Sequence, residues 1–281
     1  MKSWSFINGS LPLDRPVIVG ILNVTPDSFA DGGHYMLLDH AVAAAERMRD
    51  QGADMLDIGG ESTRPGSEPV DSEEQIRRIV PVIEALRARG CALPISVDTT
   101  RAPVAQAAIR AGANAINDVS GGRDDADMFN LAAISGAGLV LMHRLIAPKL
   151  DQYSDRYAVD PKYQDVVDDV RAMLDSAASS AMKAGVRADR IVLDPGLGFG
   201  KSVEDNLRLI EDTRRLAELG FPIMSALSRK SFVGRWHLQR DSTPDERLEG
   251  TLKLSERHRE RGAMIFRVHD VEPHVRLLKR R

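Results

Sequence analysis

One phrase recurs along the chain: a stretch of helical periodicity, then Gly or Ala-Gly, then a short apolar run ending on polar residues. It occurs as Gly52-Ala53-Asp54 before MLDIGG, and as Gly112-Ala113-Asn114 before AINDVSG. It returns as Gly136-Ala137-Gly138 before LVLMH and as Gly262-Ala263 before MIFRVHD. A left-handed glycine closes a helix and a tight turn leads into a buried strand, so each repeat predicts one helix-to-strand step. Eight apolar runs qualify as strands: 17–22, 55–58, 94–97, 115–117, 139–142, 191–193, 223–227 and 264–268. The intervals read as helices. Asp71 with Glu74 makes a capping-box start, Ile76, Ile79, Ile83 and Leu86 form an apolar stripe, and Gly90 stops the helix. Residues 39–52 behave similarly, with Val42, Ala45 and Met48 on one face.

Short strands alternating strictly with amphipathic helices imply a parallel sheet. Eight of them without a long linker favour closure over an open sheet. The 281 residues suit an α/β barrel, which runs to about 250 residues as one unit. The expected architecture is α/β, a single (β/α)8 TIM barrel, with residues 1–281 as one domain. Hydrophobic residues at 43% and charged residues at 28% supply a large core and exclude disorder. A net charge of -3 gives no electrostatic reason to expect nucleic acid or an anionic membrane as partner. The basic C-terminal residues Arg276, Lys279, Arg280 and Arg281 read as a solvated tail. The lone cysteine, Cys91, excludes an intramolecular disulfide and a thiolate metal cluster, and reads as a buried inert thiol. No apolar stretch reaches membrane-span length. The first 22 residues, broken by Asp14, Arg15 and two prolines, make a poor signal peptide, so a cytoplasmic protein is expected.

Barrel enzymes carry their reactive groups at the C-terminal ends of strands. Here those positions are polar: Asn23, then Gly59-Gly60-Glu61-Ser62-Thr63-Arg64-Pro65-Gly66, Asp98-Thr99, Asn117-Asp118, His143, Asp194, Ser228-Arg229-Lys230-Ser231 and Arg267-Val268-His269-Asp270. Loops are polar anyway, which accounts for any one of these. It does not account for Asp98, Asn117, Asp194 and Lys230 together, all aimed at one barrel mouth. Burying that many polar groups costs on the order of several kcal/mol unless they pair with each other or with a ligand. Asp194 and Asn117 suit the N–H edge of an aminopyrimidinone, and would suit other heterocycles too. Arg64, Arg267 and His269 form a basic rim of the kind a diphosphate requires. Asn23 is a hard oxygen donor for Mg²⁺ held mainly by phosphate oxygens. These residues lead to a barrel enzyme acting on a phosphorylated heterocycle. The run Gly196 to Ser202 resembles a phosphate-binding loop but has Pro195 where the first glycine belongs. The seven histidines show no paired helical spacing, which argues against zinc. His143 reads equally well as a structural residue or a substrate contact.

Seven segments, in order, resemble the signature motifs of the dihydropteroate synthase family. They are GILNVTPDSFADGG (20–33), DIGGESTRPG (57–66), SVDT (96–99), INDVSGG (116–122), LDPGLGFGK (193–201), SRKSF (228–232) and RVHDV (267–271). The resemblance spans nearly the whole chain and implies a (β/α)8 barrel. It further implies transfer of a (7,8-dihydropterin-6-yl)methyl group from its diphosphate to 4-aminobenzoate, with release of pyrophosphate, in folate synthesis. It implies that Asp98, Asn117, Asp194 and Lys230 line a pterin pocket and that Asn23 ligates Mg²⁺. Arg64, Arg267 and His269 would hold the diphosphate; Thr63, Pro65, Phe199, Lys230 and Ser231 would form the arylamine site. Lys230, Asp98, Arg267 and His269 would carry catalysis, and sulfonamides would compete with the arylamine. The loops bearing Asp27-Ser28-Phe29 and Ser62-Thr63-Arg64 would close over both substrates, helped by Gly32, Gly33, Gly59 and Gly60. No covalent enzyme intermediate is needed.

Two segments depart from the family. After Met142-His143 the run Arg144-Leu145-Ile146-Ala147-Pro148 lacks the usual glycine, and the last helix, read at Glu256 to Arg261, is charged where small apolar residues are usual. The homodimer that the resemblance implies would have its surface in that part of the barrel. Two rivals are a pterin- or folate-dependent methyltransferase and a non-catalytic pterin binder. The first need not have STRPG or SRKS, and the second has no need of Asn23, Arg64, Lys230, Arg267 and His269.

Overall fold

The computed structural model describes residues 2–24 and 34–280, with backbone alone at 34–37. Asp27, Ser28, Phe29, Gly32 and Gly33, assigned above to a closing loop, lie outside the described residues. The chain opens with a hairpin, β1 (Ser3–Phe6) and β2 (Gly9–Pro12). Eight parallel strands follow and close on themselves: β3 (Val17–Asn23), β4 (Met55–Gly59), β5 (Ile95–Asp98), β6 (Ala115–Asp118), β7 (Gly138–Met142), β8 (Ile191–Asp194), β9 (Ile223–Ser225) and β10 (Ala263–Val268). β10 pairs with both β9 and β3, which completes the expected (β/α)8 barrel. Helices α1 (His34–Asp50), α2 (Ser72–Ala88), α3 (Ala102–Ala111), α4 (Met128–Ser135), α5 (Val166–Lys183), α6 (Val203–Glu211), α7 (Thr213–Ala217), α8 (Ser231–Leu238), α9 (Leu248–Glu260) and α10 (Val271–Leu278) surround it.

The repeated glycines do what their spacing predicts. Gly112 and Gly136 cap α3 and α4 at φ of 115° and 72°, a region costly to residues with a Cβ. The start of α2 follows the sequence in part: Asp71 accepts the Glu74 amide at 2.8 Å, but Glu74 turns to Arg77 and Arg78 instead of completing the box. Ile79, Val82, Ile83 and Leu86 are its buried stripe, with Ile76 only partly buried. Helix α1 starts before residue 39, and β9 stops at Ser225 because the Lys230 amide turns back onto the Leu227 carbonyl at 3.2 Å. The charged helix is α9 and is not the last, since α10 follows it. Its inner face buries Leu254 and His258, while Arg257 and Arg261 meet Glu211 outside.

Side chains alternate in and out along each strand. The N-terminal half of the barrel interior holds Val17, Val19, Met55, Ala115, Val140, Val192, Met224 and Ile265, with Trp4 and Phe6 of the hairpin packed beneath. The outward residues join the helices in the larger core, and Cys91 is buried there as a free thiol. Register pairs Ile21 with Asp57 and Asp57 with Ser96, then Asn23 with Gly59, Gly59 with Asp98 and Asp98 with Asn117. The inward row therefore changes from apolar to polar near the strand ends.

Candidate active site

At the C-terminal mouth a single guanidinium stands between two carboxylates. Arg267, from the inward row of β10, donates from Nε to Asp57 Oδ2 at 2.5 Å and from Nη2 to Asp98 Oδ2 at 2.6 Å. Asp57 has further donors: Asn117 Nδ2 at 3.1 Å and Ser96 Oγ at 2.5 Å. Asp98 is buried, and its Oδ1 has no partner among the described residues. One guanidinium cannot neutralise two carboxylates, and the excess falls on the less satisfied group. Burial first, then the nearby charges of Asp57, Glu61 and Asp118, hold the Asp98 carboxyl above the usual range despite Arg267. Arg267 itself is held above its ordinary value, because Asp57 and Asp98 outweigh the cost of its burial.

Asp194 ends β8 buried, accepts the Gly196 amide at 2.7 Å, and is pushed up by burial against the pull of Lys230. Lys230 lies with its Nζ 4.4 Å from the centre of the Phe199 ring and donates to the Leu197 carbonyl. A Cβ at Gly198 would lie 2.8 Å from Lys230 Cδ, so this turn must be glycine for the lysine to lie across it. Burial lowers the Lys230 ammonium to about 8, with Asp194 opposing the shift. Lys230 is aimed by its neighbour: Arg229 adopts φ of 61°, held by Asp270 at 2.6 and 2.9 Å and by Asp245 at 2.8 Å. A left-handed arginine costs on the order of 1 kcal/mol and persists only when its surroundings fix it. Ser231 begins α8, buried beside Phe232.

His269 meets Ser228 Oγ through its amide at 3.2 Å and Nδ1 at 3.1 Å, and burial, then Arg267, lowers its imidazole to about 3. Arg64 contributes to that depression, which brings the three expected rim residues within electrostatic reach of one another. Arg64 is exposed, whereas Arg267 is drawn inward by its carboxylates, so the three do not form one even rim. Thr63 and Pro65 stand half-buried on the β4–α2 loop, whose base is tied by Glu61 to the Val70 amide at 2.8 Å and to Gln75 at 3.1 Å. Phe199 joins Val119 and Met142 in a small apolar cluster at the mouth. Asn23 lies on the same inward row, its Oδ1 3.8 Å from where a Gly59 Cβ would sit.

Sequence reasoning passed over Asp57, Ser96 and Arg229. The first two were visible by parity, two residues on from Met55 and two before Asp98. Lys201, in the rejected phosphate-loop segment, points inward and is fully buried, bonded to the Gly196 carbonyl at 2.9 Å, the Phe199 carbonyl at 3.0 Å and His143 Nδ1 at 2.9 Å. His143 thus has a structural partner, and burial beside that ammonium lowers it to about 2.

The profile of the pterin binding enzyme family matches residues 19–269, from within β3 to just before α10. A dihydropteroate synthase of Bacillus subtilis is 41% identical over 95% of this chain and 87% of its own. The chain belongs to the dihydropteroate synthase family. These synthases are transferases that join a dihydropterin-methyl diphosphate to 4-aminobenzoate. The synthase of Xanthomonas albilineans in complex with 7,8-dihydropteroate superposes with a TM-score of 0.86 at 40% identity, covering 99% of this chain and 96% of that one. The Yersinia pestis synthase, solved with a sulfonamide drug, gives 0.87 at 36% identity over 99% and 96%.

Proposed function

We propose that the barrel mouth is where this dihydropteroate synthase binds and joins its substrates, with residues 1–281 acting as one unit. The observation that carries the reading is the Asp98 Oδ1, buried next to Asn117 and without a partner among the described residues. A buried acceptor without a partner costs about 1–3 kcal/mol, and a pterin ring supplies the N–H groups that recover it. Asp98, Asn117, Asp194 and Lys230 hold the pterin, Asp194 at its amino-pyrimidine edge. Thr63, Pro65, Phe199, Lys230 and Ser231 hold 4-aminobenzoate, where sulfonamides compete.

Arg64, Arg267 and His269 stabilise the departing pyrophosphate, which is electrostatic catalysis at the leaving group. The neutral imidazole of His269 donates one N–H to it. Lys230 remains largely an ammonium at neutral pH and sets positive charge against the pterin. Asn23 suits Mg²⁺ held mainly by substrate oxygens: it offers one hard oxygen, and the described residues contain no cluster of three or more His, Cys, Asp or Glu to cage an ion. When bound, Mg²⁺ neutralises charge on the diphosphate. The methylene–oxygen bond breaks with its electron pair leaving on pyrophosphate, and the pterin ring delocalises the positive charge on the methylene. The arylamine nitrogen bonds to that carbon and releases its proton to the pyrophosphate or solvent, with no covalent enzyme intermediate.

The test is pyrophosphate release from the dihydropterin-methyl diphosphate with Mg²⁺, with and without 4-aminobenzoate. Release that requires the arylamine and yields dihydropteroate is expected; tight pterin binding without product would overturn the reading. No described helix is long and apolar enough to cross a membrane, and a cytoplasmic location is part of the proposal, checked by fractionation. So is a homodimer at the α9 end of the barrel, which monomeric sedimentation at micromolar concentration would refute.

A further inference from the structure

The connection from β7 to α5, residues 143–165, contains the run Arg144 to Pro148 and grips two other loops at once. On one side it holds Gly200, the residue after Phe199. The Gly200 amide donates to Asp151 Oδ2 at 2.8 Å, and its carbonyl accepts from the Tyr163 hydroxyl at 2.7 Å. Gly200 has φ of 62°, and a Cβ there would lie 2.6 Å from Leu145 Cβ, so glycine alone fits between turn and connection. Asp151 is buried, and its other oxygen accepts the Gln152 amide at 2.9 Å and the Tyr157 hydroxyl. A second strut runs from Ser154 Oγ through Asn206, 3.1 Å away, to the Gly198 amide at 2.6 Å. On the other side, the Pro148 carbonyl accepts the Gly66 amide at 2.8 Å, directly after Pro65, and Lys149 meets Glu68 at 2.8 Å.

We propose that this connection is a brace that sets the width of the arylamine slot, with Asp151 and Tyr163 as positioning residues for 4-aminobenzoate; the brace rests on the reading of Thr63, Pro65 and Phe199 as arylamine contacts. The two walls of that slot come from different barrel loops, after β4 and after β8. Neither wall fixes its distance from the other. The β7–α5 connection touches both at the residue adjoining each wall, and so converts two loops into one rigid aperture. A flat aromatic ring is sensitive to that spacing, because it packs on both walls at once and slack between them removes contacts from one face.

Steady-state kinetics of full-length Tyr163→Phe and Asp151→Asn test the brace, with each substrate varied separately and pterin binding measured by calorimetry. Each variant is expected to raise KM for 4-aminobenzoate by about tenfold, the scale of one buried hydrogen bond. KM for the dihydropterin diphosphate and Kd for pterin should stay within about twofold, since Asp98 and Asn117 sit on other strands and Asp194 is held by the Gly196 amide, ahead of the braced Gly200. A parallel rise in both KM values, or no rise for 4-aminobenzoate in either variant, overturns the brace. Tyr163→Phe deletes one oxygen and keeps the ring packed, so the fold survives the test. Phe199→Ala separates the two levels. If it leaves KM for 4-aminobenzoate unchanged, the arylamine reading fails; if it raises KM while the brace variants do not, the brace alone fails.

Discussion

The two ends of this barrel are made of the same strands and the same alternation, yet they solve opposite problems. At the N-terminal end the hairpin places Trp4 and Phe6 against Val17, Met55, Val140, Val192 and Ile265, and the Trp4 indole N–H is satisfied by the Arg190 carbonyl at 2.9 Å. At the C-terminal end the same inward rows present Asp57, Asp98, Asn117 and Asp194, with one Arg267 for two carboxylates and an unpartnered oxygen on Asp98. The floor is filled by apolar side chains; the mouth is complete only with a ligand. Stability and chemistry are thus separated along the strand axis. Substitutions at one end should spare what the other end provides.

The largest expected effect breaks the mouth alone. Asp194→Ala and Lys230→Ala should each lower kcat/KM by about 1000-fold, as removal of a charged transition-state contact does. Both variants should still unfold cooperatively in urea, since each removes one side chain at the mouth and leaves the packed floor intact. Wild-type-like turnover in either variant would refute the pocket assignment. Trp4→Ala does the reverse: about 3–5 kcal/mol of stability is lost to the cavity, while kcat/KM per folded molecule is unchanged. A Trp4→Ala protein that folds normally but has lost activity would mean the two ends are coupled. Glycines sharpen the contrast at smaller scale. A Cβ at Gly138 would lie 3.0 Å from Phe6 Cβ and 3.1 Å from Ala115 Cβ, so Gly138→Ala should cost about 1–3 kcal/mol of stability with activity kept. At Gly59 the nearest atom is Asp98 Cβ at 3.3 Å, so Gly59→Ala should mainly weaken pterin binding, read by calorimetry.

This division explains what the sequence could and could not tell. Apolar runs and C-cap glycines are local signals, and seven barrel strands lie within one residue of their expected ends because each run stops at a polar residue. β9 was overextended because Ala226 and Leu227 are apolar but serve the turn that leads to Arg229. The hairpin was missed although Asn8-Gly9, with Asn8 at φ of 61°, is a turn signal between Trp4-Ser5-Phe6 and Leu11. Its role as a floor depends on barrel residues far along the chain. In the site, Asp98, Asn117 and Asp194 were readable because strand ends aim them. The left-handed Arg229 and the inward Lys201 were not, since the first is fixed by Asp245 and Asp270 and the second by His143, all distant in sequence.

The effect that tests the mouth's incompleteness most directly is a dependence on pH. Native Asp98 keeps its proton above the ordinary carboxylate value of 3.8, while the unfolded chain releases it there. Between 3.8 and the raised native value the folded state therefore binds more protons, and stability must fall as pH rises. Below that window both states are protonated, above it both are ionised, and neither region contributes a slope. One proton bounds the effect at about 1.4 kcal/mol per pH unit. Asp98→Asn should flatten the dependence of the urea midpoint on pH across that window. Saturating pterin should flatten it too, if donors from the ring satisfy Oδ1 and hold the anion. Identical slopes in parent and Asp98→Asn would show that Arg267 neutralises both carboxylates after all, and that the mouth needs no ligand to complete it.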